Sequence, residues 1–413
     1  MRILYITPSF QHPAMRGPTR HYHFVRELSQ RHRITLLSLT RGRIPEAVMQ
    51  EMSQYTERLL VFNANEAFES AHDGLLLGSD FSSSWLYRHL QLRETVRQMK
   101  AHFERLIARE SFDLILFHGK DVFPVIEHCT GIPMVVDFCD ATSMRIRSRM
   151  QYAGWFKRIG LQMRYWQIRR VEKKLLRKSP HIIFVSCRDR EAILGPEAQA
   201  QVITLGVDQQ YWKRRTSRAS QNCLAFTGVM NYGPNEDAAF FLMQNILPEV
   251  KRSIPHPEVL IVGRDPTSAL VHEAQRHPEV HVTGFVDDVR PYLERATIFV
   301  APLRFGSGVQ NKVLEAMAMQ LPVVTTPMVA EGLRIDPEVK PPVRVAANEA
   351  EFAEAIVSLL HNPEERARLA IEGRRYVETY FVWSNHAQKL EALCLEAAGL
   401  NGYVHKPELA LSA

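Results

Sequence analysis

Residues 297–326 constrain the fold of this chain more than any other segment. They begin and end with apolar, β-branched runs, and between these lie a loop with Gly306 and Gly308 and a series of strong helix formers at 313–319. This order predicts a strand, a loop, a helix and a second strand. Such a unit is one crossover of a parallel sheet.

The loop of this unit is suited to an anion. Gly306 and Gly308 allow backbone N–H groups to approach a ligand closely, and the N-terminus of the following helix carries a partial positive charge. Lys312 and Glu315 are three residues apart and share one helix face, so a cation can meet a phosphate while a carboxylate accepts hydrogen bonds from sugar hydroxyls. The other interpretation is an ordinary crossover with a tight turn, because a short glycine loop alone is weak evidence.

Length and composition predict a globular chain rather than a disordered one. A length of 413 residues predicts two domains, with three as the alternative. Hydrophobic residues make up 46% and charged residues 23%, which is ordinary globular usage. The formal charge, 51 − 45 = +6, is compatible with an anionic ligand or an anionic surface and does not choose between them.

The cysteines and the N-terminus predict the compartment. Five cysteines form no CxxC pair and no metal-ligand spacing, so a reducing compartment is expected. The apolar start of the chain ends at Pro8, and no apolar run approaches the roughly 18 residues of a membrane-spanning helix. We therefore expect a cytoplasmic protein that at most lies peripherally on the inner face of the cytoplasmic membrane.

Apolar runs alternate with helical patterns along most of the chain. The intervals are long enough for crossover helices, so the predicted fold class is α/β with doubly wound parallel sheets. Strands are predicted at 2–7, 33–39, 58–62, 113–118, 134–138, 181–186 and 201–205, and then at 223–227, 258–262, 280–283, 297–301, 322–325 and 343–346.

The two series of strands predict two Rossmann-like domains. The first is assigned to residues 1–212 and the second to 223–380, with a polar, basic linker at 213–222. A final helix at about 381–400 is expected to cross back to the first domain. Ligands bind beyond the carboxyl ends of the strands in such sheets, so two facing domains leave a cleft for two substrates.

The order and spacing of several motifs carry a family resemblance. The main motif is NKVLEAMAMQLPVV at 311–324, and shorter motifs begin at Gly206, Thr227, Leu260 and Thr283. Over nearly the whole chain, these resemble the glycosyltransferases of family 4, which have the GT-B architecture of two facing Rossmann-like domains. The resemblance implies transfer of a sugar from a nucleotide diphosphate-sugar, with retention of anomeric configuration and with no required metal or other cofactor.

The resemblance extends to a subset of the family that is associated with exopolysaccharide assembly, through residues 310–315 and 136–140. It implies a saccharide or polyprenyl-linked saccharide acceptor. Lys312 is assigned to the diphosphate and Glu315 to the ribose, and both join His118 as candidate catalytic residues. The other candidate donor-binding residues are Gly17, Gly228, Arg264, Phe285, Val286, Gly306, Ser307, Gly308, Val309 and Asn311.

Three departures from the family pattern leave the donor open. Ser307 stands where most members have a glutamate, and Met230 and Asn235 stand roughly where the family has arginine and lysine. Beside Gly17, Pro18 has no N–H to offer a phosphate. A catalytically inactive nucleotide-sugar-binding protein and a nucleotide-sugar epimerase on the same fold are therefore the alternatives.

The first domain carries the candidate acceptor residues. His118 ends a predicted strand that faces the cleft, and the family has a histidine near the sugar. Asp137 and Asp140 follow the next strand and are assigned to receive the acceptor or to orient His118. An ordinary polar strand end for His118, and a helix cap for the two aspartates, are the other interpretations.

A basic segment at 145–178 is the remaining feature. It holds twelve Lys or Arg and one acid, Glu172, interleaved with Trp155, Phe156, Tyr165 and Trp166. Two interpretations are open: a helix that lies on an anionic bilayer, beside a lipid-linked acceptor, or a solvated helix whose aromatic side chains pack on the first domain. Nucleic acid is not an expected partner, because it would leave the two-domain cleft unexplained.

Overall fold

Two parallel sheets dominate the structure. The computed structural model describes residues 1–15, 19–65, 85–151, 154–215, 220–306, 308–335 and 338–400, and the side chains of 85–89, 156 and 157 also lie outside that description. The first sheet has seven strands in the order β3-β2-β1-β4-β5-β6-β7, and the second has six in the order β10-β9-β8-β11-β12-β13. The predicted α/β class with two doubly wound sheets is confirmed.

The first sheet and its helices occupy the N-terminal half of the chain. The strands are β1 Arg2–Thr7, β2 Arg33–Thr40, β3 Arg58–Asn63, β4 Leu114–His118, β5 Met134–Cys139, β6 His181–Phe184 and β7 Gln201–Val202. The helices are α1 Arg20–Leu28, α2 Glu46–Tyr55, α3 Trp85–Arg109, α4 Thr142–Gln151, α5 Trp155–Lys178 and α6 Cys187–Leu194.

The second sheet follows the same plan. Its strands are β8 Cys223–Thr227, β9 Glu258–Val262, β10 Val280–Val282, β11 Ile298–Ala301, β12 Val323–Thr325 and β13 Arg344–Val345. Its helices are α7 Gly233–Phe241, α8 Leu247–Lys251, α9 Ser268–Ala274, α10 Arg290–Arg295, α11 Asn311–Ala318 and α12 Pro327–Leu333. Three further helices, α13 Glu349–His361, α14 Pro363–Tyr380 and α15 Trp383–Ala397, complete the chain.

The strands are apolar on both faces because helices cover both sides of each sheet. Along β1, Leu4 and Ile6 belong to the core on one side of the sheet, and Ile3 and Tyr5 belong to the core on the other. Every residue of β8 is buried. Such burial explains why continuous apolar runs, rather than alternating ones, marked these strands in the sequence.

The last helix returns to the first domain, as predicted. Trp383, Leu390 and Cys394 join the core that contains Phe24. At the surface, Glu391 accepts a hydrogen bond from Arg31 Nε at 2.8 Å. Burial of one apolar face of α15 against the first sheet therefore fastens the C-terminus to the N-terminal half of the chain.

Most predicted strand ends lie within one residue of the structure, and the larger differences are at β6 and at β7, which ends at Val202 rather than at residue 205. The strand predicted at 181–186 ends at Phe184, because Ser186 Oγ accepts a hydrogen bond from Asp189 N and caps α6. The strand predicted at 297–301 begins one residue later, at Ile298, although Thr297 N still donates to Cys223 O at 2.7 Å. At β6, therefore, a polar capping side chain ends a strand that an apolar run alone would extend.

Candidate functional site

The centre of the second sheet is where its strand order reverses, between β8 and β11. Open α/β sheets bind ligands beyond the carboxyl ends of the strands at this point. Gly228 follows β8 and Gly263 follows β9, and a Cβ atom on Gly263 would lie 1.7 Å from Gly228 O. Gly263 has φ +153°, so the two backbones approach this closely only because glycine stands there.

Lys312 enters this crevice from the first turn of α11. Its Nζ donates a hydrogen bond to Asn235 Oδ1, from α7, and lies 4.6 Å from the centroid of the Phe226 ring. A Cβ atom at Gly228 would lie 3.0 Å from the same Nζ. Lys312, the residue predicted to bind the diphosphate, therefore lies at the end of β8, against Gly228, which has no side chain.

Burial changes the proton affinities of the two helix residues. It lowers the pKa of Lys312 to about 7, against the opposing effect of Glu315. It raises the pKa of Glu315 to about 7, against the opposing effect of Lys312. An anion placed beside Lys312 favours the ammonium form, because opposite charges stabilise one another more strongly where water is scarce.

The glycine loop before α11 lies between the two domains. Gly308 has φ +69°, and a Cβ atom there would be 3.9 Å from Val185 Cγ2 of the first domain. Gly306 has φ +151°, Val309 is buried, and Asn311 begins the helix with no side-chain cap. Ser307 lies outside the described residues, and so does Gly17.

The structure gives less support for donor binding by Arg264, Phe285 and Val286. Arg264 Nη1 donates to the carboxylate of its neighbour Asp265 at 2.7 Å, so its charge is paired within the loop. Phe285 is 53% exposed after β10, whereas Val286 packs against the second-domain core. The ring of Phe285 is therefore exposed at a position predicted to contact the donor, whereas the packing of Val286 favours a structural role over donor binding.

His118 ends β4 at the corresponding reversal of the first sheet, between β1 and β4. Its Nδ1 lies 3.0 Å from Asp137 O and 3.7 Å from Asp137 Oδ2. Asp137 is 2% exposed and accepts a hydrogen bond from Arg20 Nε at 2.9 Å. The placement of Asp137 favours the role of orienting His118 over that of receiving the acceptor.

Electrostatics explain why Asp137 stays charged. Burial on its own raises the pKa of a carboxyl group, but Arg20 and His118 more than offset it and hold the pKa of Asp137 well below its usual range. Asp137 Oδ1 also accepts a hydrogen bond from Cys139 N at 2.8 Å. The carboxylate is therefore fully engaged inside the first domain.

His21 was missed by the sequence analysis. Its ring centroid lies 4.4 Å from that of His118, and its Nδ1 lies 2.6 Å from the hydroxyl of Tyr5. Burial lowers the pKa of His21 well below its usual value, so the ring is neutral. The signal that could have found it is positional, because α1 follows β1, the strand beside β4 at the reversal.

Asp140 lies where the first sheet meets the basic helices. Its Oδ1 accepts a hydrogen bond from Thr142 Oγ1 at 2.8 Å, and its Oδ2 lies 3.3 Å from Arg145 Nη1. Burial opposes ionisation, but Lys120 and Arg145 more than offset it and lower the pKa of Asp140. Its carboxylate links the end of β5 to the start of α4. The role of Asp140 in binding the acceptor stays a prediction.

The fold and the crevice define a class of protein. Two Rossmann-like domains, with a glycine-lined crevice at the sheet reversal of the second, form the GT-B architecture. Residues 221–362, which contain Gly228, Asn235, Lys312 and Glu315, match the model of a family described as glycosyl transferases group 1. The comparison with curated proteins gives no match.

Solved structures share this architecture over almost the whole chain. Sucrose-phosphate synthase from Thermosynechococcus elongatus is similar with a TM-score of 0.68 at 17% identity, covering 95% of this chain and 98% of that one. TarM is similar with a TM-score of 0.65 at 11% identity, covering 95% and 98%. HepE from Anabaena, solved in complex with UDP and glucose, is similar with a TM-score of 0.63 at 14% identity, covering 95% and 98%.

These likenesses show the GT-B fold, and the family match lies in the second domain. Together they support the sequence interpretation of this chain as a glycosyltransferase of the GT-B type. Assignment to family 4, to its exopolysaccharide subset and to metal-independent transfer stays a prediction.

Proposed function

We propose that this protein is a retaining glycosyltransferase that moves a sugar from a nucleotide diphosphate-sugar to a saccharide or lipid-linked saccharide. The reaction would serve exopolysaccharide or cell-envelope glycan synthesis at the cytoplasmic face of the membrane. The observation that carries the proposal is the Lys312 ammonium beside Gly228, at the sheet reversal where such folds bind ligands. HepE, a structural neighbour, was solved with UDP and glucose, which supports a nucleotide-sugar as the donor class.

The proposed chemistry follows from where charge develops. The bond between the sugar C1 and the β-phosphate oxygen breaks, and negative charge appears on the departing diphosphate. Lys312, the amides of the glycine loop and the N-terminus of α11 stabilise that charge. The acceptor oxygen bonds to C1 from the same face, and its proton passes to the departing phosphate.

The remaining roles divide between the domains. Glu315 accepts hydrogen bonds from the ribose, and His118 contacts the sugar. The sequence makes no pair of carboxylates evident for a double displacement of the glycosidase type, so we favour the front-face route. The donor sugar and base stay open, because Ser307 lies outside the described residues.

The test is turnover of a panel of nucleotide-sugars with and without saccharide acceptors. We expect one donor to be hydrolysed slowly alone and transferred with retained configuration when an acceptor is present. Lys312→Ala should lose this turnover, and Lys251→Ala, at a surface lysine of the same domain, serves as the control. Tight binding of a nucleotide-sugar without any turnover would support the inactive binding protein instead, and a changed sugar without transfer would support an epimerase.

We further propose that residues 145–178 hold the enzyme on an anionic membrane surface, beside a polyprenyl-linked acceptor. Four large apolar side chains on α5 are exposed: Trp155 by 66%, Ile159 by 54%, Met163 by 62% and Trp166 by 65%. Their spacing of four, four and three residues aligns them on one helix face, called the α5 stripe below. The exposure of Trp155 and Trp166 favours this interpretation over the one in which the aromatic side chains pack on the first domain.

The opposite face of α5 attaches it to the protein. Ile168, Glu172 and Leu175 are buried, and by helical spacing they lie on the side away from the α5 stripe. Glu172 Oε1 accepts a hydrogen bond from Ser143 N in the first turn of α4. Glu172, the one acid of this segment, is therefore hydrogen-bonded inside the protein. The charged side chains that the segment exposes to solvent are basic.

Charge and apolar surface together fit a bilayer rather than bulk water. Arg158, Arg164 and Arg170 are exposed on α5. A basic residue near an anionic lipid surface contributes about 1 kcal/mol. Within the described residues, the structure has no helix long and apolar enough to cross a membrane.

Vesicle binding tests this part of the proposal. We expect the protein to sediment with phosphatidylcholine vesicles only when phosphatidylglycerol is added, and less so at high salt. Serine at all four positions of the α5 stripe should abolish sedimentation, and the control Val271→Ser/Ile371→Ser, at two exposed apolar residues of the second domain, should not. Equal sedimentation of the stripe variant, together with a smaller mass in solution, would assign the stripe to contact with a second copy.

A further inference from the structure

Asn235 holds Lys312 by a contact whose direction is fixed. Asn235 is 6% exposed, and its Nδ2 donates a hydrogen bond to Val229 O at 3.0 Å. The amide oxygen must then face Lys312 Nζ, since the flipped amide would place its NH₂ group against the ammonium and its oxygen against a carbonyl. A neutral acceptor thus fixes the position of a cation.

Neighbouring cations of the second domain are held differently. The guanidinium of Arg264 is paired with Asp265, and that of Arg304, in the loop after β11, is paired with Asp237 of α7. Asn235 supplies Lys312 with an oxygen that carries no full charge. The Lys312 charge is consequently left to attract an incoming anion, whereas an aspartate would compete with that anion.

Glycine makes this arrangement possible. A Cβ atom at Gly228 would lie 2.6 Å from Asn235 Nδ2 and 3.0 Å from Lys312 Nζ. The amide and the ammonium therefore both lie close against the backbone at the end of β8. The remaining N–H groups of Lys312 can donate to a ligand that approaches the same backbone.

We infer that Asn235 is a positioning residue of the donor site, whose neutral amide holds the Lys312 ammonium in place for the diphosphate of a nucleotide-sugar. The inference rests on the proposed function and deepens it. According to this inference, Lys312 is the cation at this point of the crevice, and the side chain at position 235 must be neutral for the diphosphate to bind. Position 235 was noted in the sequence only as a departure from the family pattern.

The isosteric variant Asn235→Asp separates positioning from mere packing. Aspartate keeps the shape and can still accept from Lys312, but its second oxygen replaces the donor to Val229 O, so thermal stability should fall modestly while the protein stays folded. Binding of nucleoside diphosphates, measured by calorimetry over a panel of bases, should weaken about 10-fold or more, because a carboxylate repels the phosphates and neutralises the lysine. Wild-type affinity in Asn235→Asp would overturn the inference.

An exchange of the two side chains gives the second test. Asn235→Lys alone places two ammonium groups together and should weaken binding about 10-fold or more. The double variant Asn235→Lys/Lys312→Asn restores one ammonium and one amide, and we expect it to bind better than either single variant. No recovery in a double variant that unfolds at the wild-type temperature would overturn the inference.

The same data separate this inference from the proposed function. If the wild-type protein binds none of the nucleoside diphosphates, the proposed function fails and takes the inference with it. If the wild type binds one and Asn235→Asp binds it equally well, only the role of Asn235 fails.

Discussion

The two sheets have the same reversal of strand order but use buried charge in different ways. At the first, Asp137 is paired with Arg20 inside the domain, and the histidines beside it are His21 and His118. At the second, Lys312 is held by an amide. Paired charge stabilises and orients, whereas charge held by a neutral group stays available to a ligand. This difference is what the proposed function requires of a first domain that positions His118 and a second domain that binds an anionic donor.

The largest effect should come from breaking the pair in the first domain. Asp137→Asn leaves Arg20 buried without its counter-charge and should cost about 3–5 kcal/mol of unfolding free energy, measured by urea denaturation. Arg20→Met/Asp137→Leu removes both charges and should recover much of that loss.

The acid stability of the same variant checks the cause. The folded-state pKa of Asp137 is depressed, so its contribution is fully present above the unfolded pKa, about 4, and is lost as pH falls toward the folded value. Asp137→Asn should therefore lose stability less steeply than the wild type below about pH 4. Parallel curves would contradict the assignment.

Lys312→Ala should lower activity strongly and change stability little, in contrast to the large loss of stability in Asp137→Asn. We expect kcat/KM for the donor to fall about 100- to 1,000-fold, the usual cost of removing one group that stabilises developing negative charge. Stability should change little, because a lysine whose pKa is lowered by burial contributes little to folding. An unfolding midpoint that falls as far as in Asp137→Asn would remove the contrast between the two regions.

The pH dependence of donor binding gives a smaller effect. Binding of an anion requires the Lys312 ammonium, whose pKa is about 7 in the free protein, so affinity should be highest below pH 7. Above that pH it should fall by up to about tenfold per pH unit, until the pKa of Lys312 in the complex is reached. Ionisation of Glu315 in the same range raises the pKa of Lys312 and flattens the fall.

A matched variant identifies the titrating group. Arginine stays protonated throughout this range, so Lys312→Arg should remove the decrease in affinity at high pH. Calorimetry between pH 6 and 9 measures both proteins. An unchanged pH profile in Lys312→Arg would assign the titration to another residue.

The smallest effect is expected at Arg264. Because Asp265 pairs its guanidinium, Arg264→Ala should change the dissociation constant of the donor by less than about threefold, in line with the modest contribution of exposed ion pairs. A loss comparable to that of Lys312→Ala would return Arg264 to the diphosphate site. Binding calorimetry of both variants under one buffer makes the comparison direct.

Local pattern predicted much of the fold. The apolar runs at β8 and β9 were identified with the same bounds that the structure has, because a buried parallel strand must be apolar on both faces. The glycines after β11 and the helix that bears Lys312 were likewise readable from nearby residues. The α5 stripe was only partly readable, since periodicity shows that residues share a face and not which way that face points.

The sequence by itself determined two doubly wound domains, a glycine loop before a helix, and a lysine and a glutamate on that helix. The tertiary structure alone decided what those groups meet. Asn235 and Lys312 are 77 residues apart, and Arg20 and Asp137 are 117 apart. Such contacts depend on which strands become neighbours in a sheet, and no local preference of the chain encodes the neighbour that a buried charge will find.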